Sequence, residues 1–102
     1  MINTNFYLIE LLVRNHSGVM SHITGLFARR AFNLEGILCA HIGDGTTSKM
    51  FLLVKNDSVL TQIIKQLEKL YDVLDVSLHQ DYDQSVFQNL NTVLKLKSDE
   101  TI

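Results

Sequence analysis

The 102-residue sequence contains no proline, a single cysteine and five scattered glycines. Because no proline-rich or Gly/Ser-rich stretch interrupts its body, and because its length suits one hydrophobic core, we expect a single domain. One thiol excludes both a disulfide framework and a cysteine-rich metal site within one chain. Cys39 lies in an apolar run typical of a strand, so we expect a buried, inert thiol.

Long apolar runs and a strong charge bias are also lacking. No stretch approaches the roughly 18 consecutive apolar residues of a membrane span, and the first residues show no basic region followed by an apolar core. We therefore expect a soluble, cytoplasmic protein without membrane contact. The formal net charge is -2, from 9 basic and 11 acidic residues, so the positive surface that a phosphate backbone attracts is missing. We accordingly expect no nucleic-acid partner.

Hydrophobic periodicity predicts six elements in the order β-α-β-β-α-β. The predicted strands are 6–13, 33–42, 49–55 and 73–79, and the predicted helices run from about 19 to near Ala31 or Phe32 and from 60 to 70. This order is typical of a ferredoxin-like α+β fold, with four antiparallel strands and two helices on one face. Leu74, Val76 and Leu78 should share one side of the last strand. We expect a second copy of the chain to cover the other sheet face.

No residue pattern predicts catalysis or metal binding. The four histidines lie on four different predicted elements, without an HExxH pattern or paired cysteines. His16 and Ser17 are adjacent, and adjacent side chains rarely point at each other as a nucleophile and its base must. The stretch 43–45 lacks the lysine and the following helix of a phosphate loop, so we expect a hairpin there. Catalytic residues, metals and cofactors are thus not expected in this chain.

The most informative segment is 15–20, where the first predicted strand leads into the first helix. A helix N-terminus presents unpaired N–H groups, and Gly18 lacks the Cβ that would keep a ligand carboxylate away from the backbone. The Asn15 amide can donate and accept, which matches a zwitterionic amino acid. The alternative is an ordinary turn with Ser17 as the helix N-cap. Asn33 has two similar interpretations, a ligand contact or the left-handed residue that ends the helix.

Residues 13–20 (VRNHSGVM) and 25–37 (GLFARRAFNLEGI) closely resemble the small regulatory subunits of acetohydroxyacid synthase (AHAS, or acetolactate synthase), a family built on an ACT domain. The resemblance is dense from about 11 to 42 and looser to about 79. It implies an ACT domain over 1–80 that forms an edge-to-edge homodimer. A branched-chain amino acid would bind at the dimer interface, with valine the first candidate and isoleucine or leucine the alternatives.

The resemblance further implies feedback inhibition and stimulation of a catalytic large subunit, a separate chain that uses thiamine diphosphate. The effector-binding positions that it assigns are Asn15, His16, Ser17, Gly18, Val19, Met20 and Asn33. Among them, Val19 and Met20 would supply backbone N–H groups and apolar contact. Family members usually carry proline where this chain has Ser17, and a proline at the first helical position would stiffen the loop. The short chain resembles the single-domain bacterial type of this subunit.

Two other functions remain open at this point. The chain could be an ACT module that binds another amino acid or acts on another enzyme, or a small enzyme of ferredoxin-like fold. The tail, 81–102, also has two interpretations. Its apolar residues recur at helical spacing after Asp81 and Asp83, which favours a short amphipathic helix. That segment either docks on the catalytic subunit, or packs back on its own domain or frays.

Overall fold

The structure is a computed structural model that describes residues 6–83 and 85–96. Its elements are β1 (Phe6–Arg14), α1 (Val19–Arg29), β2 (Leu34–Ile42), β3 (Thr47–Lys55), α2 (Leu60–Lys69), β4 (Val73–His79), α3 (Ser85–Gln88) and α4 (Leu90–Val93). The strands form one antiparallel sheet in the order β2-β3-β1-β4. The predicted ferredoxin-like α+β fold is therefore confirmed, although α1 ends at Arg29, slightly before the predicted end.

The core lies between one face of this sheet and the two long helices. Alternate residues of the central strands β1 and β3 point to that face, as the pleat of a strand requires. The buried strand residues are Ile9, Leu11, Val13, Met50, Leu52 and Val54, and the helix residues packed with them are Val19, Ile23, Leu26, Phe27, Leu60, Ile63 and Leu67. Because both helices contribute to one cluster, they cover the same face of the sheet.

The C-terminus of α1 is closed by an alanine in the left-handed conformation. Ala31 has φ 52°, its N–H donates to the Ala28 carbonyl at 3.0 Å, and the Phe32 N–H donates to the Phe27 carbonyl at 2.9 Å. These two bonds form a Schellman motif, which the edge-to-face contact of Phe27 and Phe32 accompanies, with ring centroids 5.9 Å apart. Asn33 is therefore not the left-handed residue that ends the helix.

Two sequence-based expectations about the edge strands are wrong. In β4 the register shifts between Leu12 and Val13, so Val13 pairs with Val73 and Leu12 with Asp75. Leu74 falls in this irregularity, and the predicted alternation that starts from it is broken. Cys39 is exposed, because β2 is an edge strand and its helix-facing side is only partly covered. Partial burial of the side chain nevertheless raises the pKa of the Cys39 thiol.

The second face of the sheet is partly covered by the tail. Tyr82, Asp83 and Phe87 line a cavity of about 210 Å³ together with Leu8, Leu38 and Phe51 of the sheet. Gly36 of β2 makes room for the Phe87 ring, since a Cβ at Gly36 would lie only 2.8 Å from Phe87 Cδ1. The expectation that a second copy covers this face therefore does not hold for the part on which α3 lies.

The start of α3 has a local cause. The Asp83 carboxylate accepts hydrogen bonds from the Ser85 backbone N–H at 3.0 Å and from its hydroxyl at 2.6 Å, and both lower the pKa of Asp83. An aspartate before the first turn supplies a helix N-terminus with an acceptor. Among the apolar positions that predicted a tail helix, the side chains of Val86 and Val93 lie outside the described part of the chain.

Candidate functional site

The β1–α1 loop ends in an uncapped helix N-terminus. Gly18 is the N-cap residue of α1, with φ 92°, and no side chain among the described residues caps the helix. A Cβ at Gly18 would meet no atom of residues 6–83 and 85–96 within 4 Å, so these residues leave the space beside it open. Ser17 lies one position outside the N-cap, which makes the predicted capping role of Ser17 wrong. The exposed N–H groups and the helix dipole create a favourable position for a small carboxylate.

Asn15 ties this loop to the hairpin between β2 and β3. Its side-chain Nδ2 donates to the Gly45 carbonyl at 2.7 Å, and its backbone N–H donates to the Thr46 carbonyl at 3.0 Å. Asp44 holds the hairpin by accepting from the Thr46 N–H and hydroxyl, and these bonds lower the pKa of Asp44. The amide oxygen of Asn15 is the atom that an ammonium group of a ligand would approach.

Val19 and Met20 point in different directions. Val19 is buried in the core, so only its backbone is available to a ligand, whereas the Met20 side chain is 39% exposed at the N-terminal end of α1. Met20 can therefore give the apolar contact that a branched side chain needs. The Val19 N–H is 3.4 Å from the His16 carbonyl, a long bond in the turn that precedes α1.

His16 connects the loop to the turn between α2 and β4. Its Nε2 lies 2.6 Å from Asp72 Oδ1, and its Nδ1 lies 2.6 Å from the Ser17 carbonyl oxygen. His22 of α1 approaches the same carboxylate, with Nδ1 3.4 Å from Asp72 Oδ2. The bond to Asp72, then the bond to Ser17, raise the pKa of His16, and His16 in turn lowers the pKa of Asp72. Asp72 itself is only 7% exposed.

Asn33 lies at the other end of α1. It borders a groove of about 380 Å³ that also includes Lys55 and Asp57, and its Nδ2 donates to Glu35 Oε2 at 2.7 Å. Since α1 has 11 residues and rises about 1.5 Å per residue, roughly 16 Å separate its two ends. One amino acid cannot bridge that length within a single chain. The structure therefore brings the loop residues 15–20 together and leaves Asn33 apart.

Sequence reasoning missed Asp72 as a member of this region. Asp72 lies in a short turn before β4, and nothing in its local sequence distinguishes it from other turn aspartates. Only the pairing of β1 with β4 brings the turn beside the loop, and the Arg14 N–H bond to the Asp72 carbonyl, 2.8 Å, is part of that contact.

A second polar cluster that the sequence did not reveal lies on the other sheet face, where Glu10 contacts Lys49 at 2.8 Å and His79 at 2.7 Å.

Within residues 6–83 and 85–96, no group of three or more histidine, cysteine or acidic side chains is arranged to hold a metal ion. In the same part of the chain, no helix is both long and apolar enough to cross a membrane.

Solved structures with the same fold define the class of this protein. The small subunit of acetolactate synthase from Thermotoga maritima superimposes with a TM-score of 0.65 and 28% sequence identity, over 88% of this chain and 68% of that chain. The ACT domain of the GTP pyrophosphokinase of Chlorobium tepidum gives a TM-score of 0.59 over 80% of this chain and 94% of that domain, at 23% identity, which shows the fold alone. The fold is that of an ACT domain.

The sequence comparison identifies the family within this class. Residues 9–75 match the AHAS small subunit-like ACT domain, and the chain belongs to that family. It is 52% identical over 83 residues to the acetolactate synthase isozyme 1 small subunit of Escherichia coli K12, covering 81% of this chain and 85% of that protein. The isozyme 3 small subunit of the same strain is 44% identical over 69% of this chain and 44% of its own length. The resemblance noted in the sequence is confirmed.

Proposed function

We propose that this chain is a non-catalytic regulatory subunit of acetohydroxyacid synthase. It binds valine between two ACT domains, and it confers feedback inhibition and stimulation on a separate catalytic large subunit. Membership of the small-subunit family supports the regulatory role and the choice of partner. The structural observation that carries the ligand site is the uncapped N-terminus of α1 at Gly18, which faces open space.

The ligand is assigned to this loop by its chemistry. The carboxylate of valine lies against the N–H groups at the N-terminus of α1, where the helix dipole favours a negative charge. The ammonium group lies against the Asn15 amide oxygen, and the branched side chain contacts Met20. A residue with a Cβ at position 18 would reach toward the carboxylate. Isoleucine and leucine differ from valine by one methylene, which an apolar pocket discriminates by only about 1–3 kcal/mol.

The site is completed by a second copy of the chain. β2 is an edge strand, and antiparallel pairing of two β2 strands about a twofold axis also sets the two α1 helices antiparallel. The N-terminus of one α1 then approaches the C-terminal end of the other, where Asn33 lies. This arrangement removes the separation of roughly 16 Å that keeps Asn33 and Gly18 apart in one chain. Sedimentation at micromolar concentration should show a dimer, and a monomer with and without valine would contradict this arrangement.

Two nearly isosteric variants at one position test the carboxylate site. Gly18→Asn and Gly18→Asp both place a side chain at φ 92°, which these two residues tolerate better than others, and they differ in charge. We expect both proteins to fold, with a similar strain of about 1–2 kcal/mol. Gly18→Asp should abolish valine binding in calorimetry, because its carboxylate repels that of the ligand, whereas Gly18→Asn should only weaken it. Equal binding by the two variants would place the carboxylate elsewhere.

The same titration separates the proposed function from its alternatives. Each of the twenty amino acids is titrated into the full chain. The catalytic subunit is then assayed for acetolactate formation in the presence and in the absence of this chain. Binding of valine together with altered acetolactate formation supports the proposal. Binding of an unrelated amino acid without any effect on the enzyme would indicate a different ACT module.

A further inference from the structure

The imidazole of His16 lies between two hydrogen-bond acceptors. Its Nδ1 is 2.6 Å from the Ser17 carbonyl oxygen, and its Nε2 is 2.6 Å from Asp72 Oδ1. A neutral imidazole carries only one N–H, so it can donate to one of these oxygens but not to both. The imidazolium ion donates to both. The geometry of the loop therefore matches the protonated form of His16.

Asp72 is a fixed point to which this ring attaches. Its side chain is largely buried, and its backbone carbonyl accepts a hydrogen bond from the Arg14 N–H, which ties the turn to β1. His16 and Ser17, in contrast, are exposed and belong to the loop that precedes the uncapped helix. Because Ser17 does not restrict the backbone as a proline would, the contact from His16 to Asp72 contributes to holding this loop.

The charged groups around His16 come from three elements. Asp72 approaches from the α2–β4 turn, and its carboxylate is shared with His22 of α1 at 3.4 Å. Arg14 of β1 contributes an opposing positive charge, while its guanidinium lies 4.7 Å from the centre of the Tyr71 ring. The contact with Asp72 is the largest of these influences and raises the pKa of His16 above its ordinary value of 6.5.

We propose that His16 is a positioning residue whose protonated ring, paired with Asp72, holds the β1–α1 loop in its ligand-binding conformation, so that amino-acid affinity rises with His16 protonation. This inference rests on the proposed function, because it concerns the same loop. In this proposal His16 acts through the loop backbone, in place of the direct ligand contact that the family resemblance implies.

The direction of the pH effect follows from the raised pKa of His16. The contribution of the pair is fully present below about pH 6.5 and is lost as the pH rises through the raised value. Valine keeps the same zwitterionic form across this range, so the ligand does not add a change of its own. Since His16 is exposed to solvent, we expect a modest effect, with affinity roughly two- to fivefold higher near pH 6 than near pH 8.5.

The test measures valine binding by calorimetry at these two pH values for the full chain and three variants. His16→Gln cannot be protonated and should bind at both pH values with the lower affinity. Asp72→Asn keeps the shape of the partner without its charge, and it should reduce the pH dependence. His22→Gln is the matched control, because it removes the second histidine from the same carboxylate and should keep the full pH dependence.

An NMR titration of the His16 ring, without ligand, accompanies the binding data. The ring of the wild-type chain should titrate above its ordinary range, and Asp72→Asn should lower that midpoint. Valine affinity that is equal at the two pH values, or pH dependence that persists in His16→Gln, would overturn the inference. If the wild-type chain binds no amino acid at either pH, the proposed function fails, and an unchanged His16 titration in Asp72→Asn would separately show that Asp72 does not hold the ring.

Discussion

The contact between Gly36 and Phe87 predicts that the effect of Gly36→Ala on the free energy of unfolding changes sign when the Phe87 ring is removed. Gly36 lies in β2, and a Cβ there would be 2.8 Å from Cδ1 and 3.0 Å from Cε1 of the Phe87 ring, but 3.5 Å from Leu53 Cβ. The contact with Leu53 is ordinary, whereas the ring must move. Gly36→Ala should therefore displace Phe87 and with it the helix α3.

Two opposing effects set the magnitude. Full burial of a phenylalanine side chain stabilises a protein by about 1.5–3 kcal/mol, and Phe87 is only half-buried, so displacing it costs about 0.75–1.5 kcal/mol. Replacing glycine by alanine inside a strand stabilises the protein by roughly 0.5–1 kcal/mol, because alanine loses less conformational entropy than glycine on folding. At the middle of both ranges the cost exceeds the gain, so the net change in Gly36→Ala is a small destabilisation. In a Phe87→Ala background the same change should be stabilising, with a coupling free energy of about 0.75–1.5 kcal/mol.

Urea unfolding of the four proteins, all at the same protein concentration, measures this coupling. Hydrogen exchange of residues 85–96 reports whether the tail has left the sheet. Gly25→Ala is the matched control. A Cβ at Gly25 would lie 3.2 Å from the end of the Arg29 side chain, which is flexible enough to move away. Because alanine favours a helix more than glycine does, this variant should be more stable by about 0.5–1 kcal/mol in both backgrounds. A coupling free energy near zero for Gly36 and Phe87 would refute the seating of the tail on this sheet face.

Three further predictions concern single positions. Ala31→Gly should stabilise the protein by about 0.5–1 kcal/mol, because glycine adopts φ 52° without the steric cost that alanine bears, and a thermal unfolding scan with a lower midpoint would contradict this. Asn33→Ala should weaken valine binding by roughly 1–3 kcal/mol, the cost of an unpaired polar partner at an interface, and unchanged affinity in calorimetry would mean that Asn33 plays no part in the site. Lys49, and then His79, lower the pKa of Glu10. Because this pKa is lowered in the folded protein, Glu10 contributes stability that is present above about pH 4.5 and is lost as the pH falls through the lowered value. Lys49→Met should raise the Glu10 pKa in an NMR titration, and an unchanged value would exclude this ion pair in solution.

The sequence by itself determined the fold of this protein. Strand and helix periodicities are local properties, so runs such as 49–55 and 60–70 indicated their elements without knowledge of their neighbours. The order of those elements then left a ferredoxin-like sheet with both helices on one face as the natural packing. Gly18 also marked the loop now proposed as the effector site, because the absence of a Cβ follows from the residue type alone, whereas its positive φ was apparent only in the structure.

Tertiary structure decided the contacts between residues that are distant in the chain. Asp72 became the partner of His16 only because β4 pairs with β1, and the exposure of Cys39 follows from the edge position of β2. The contact of Phe87 with Gly36 depends on how the tail packs against the sheet, which hydrophobic periodicity does not predict. Local sequence specifies which residues are apolar and which turns are possible, whereas strand order and register determine which side chains meet.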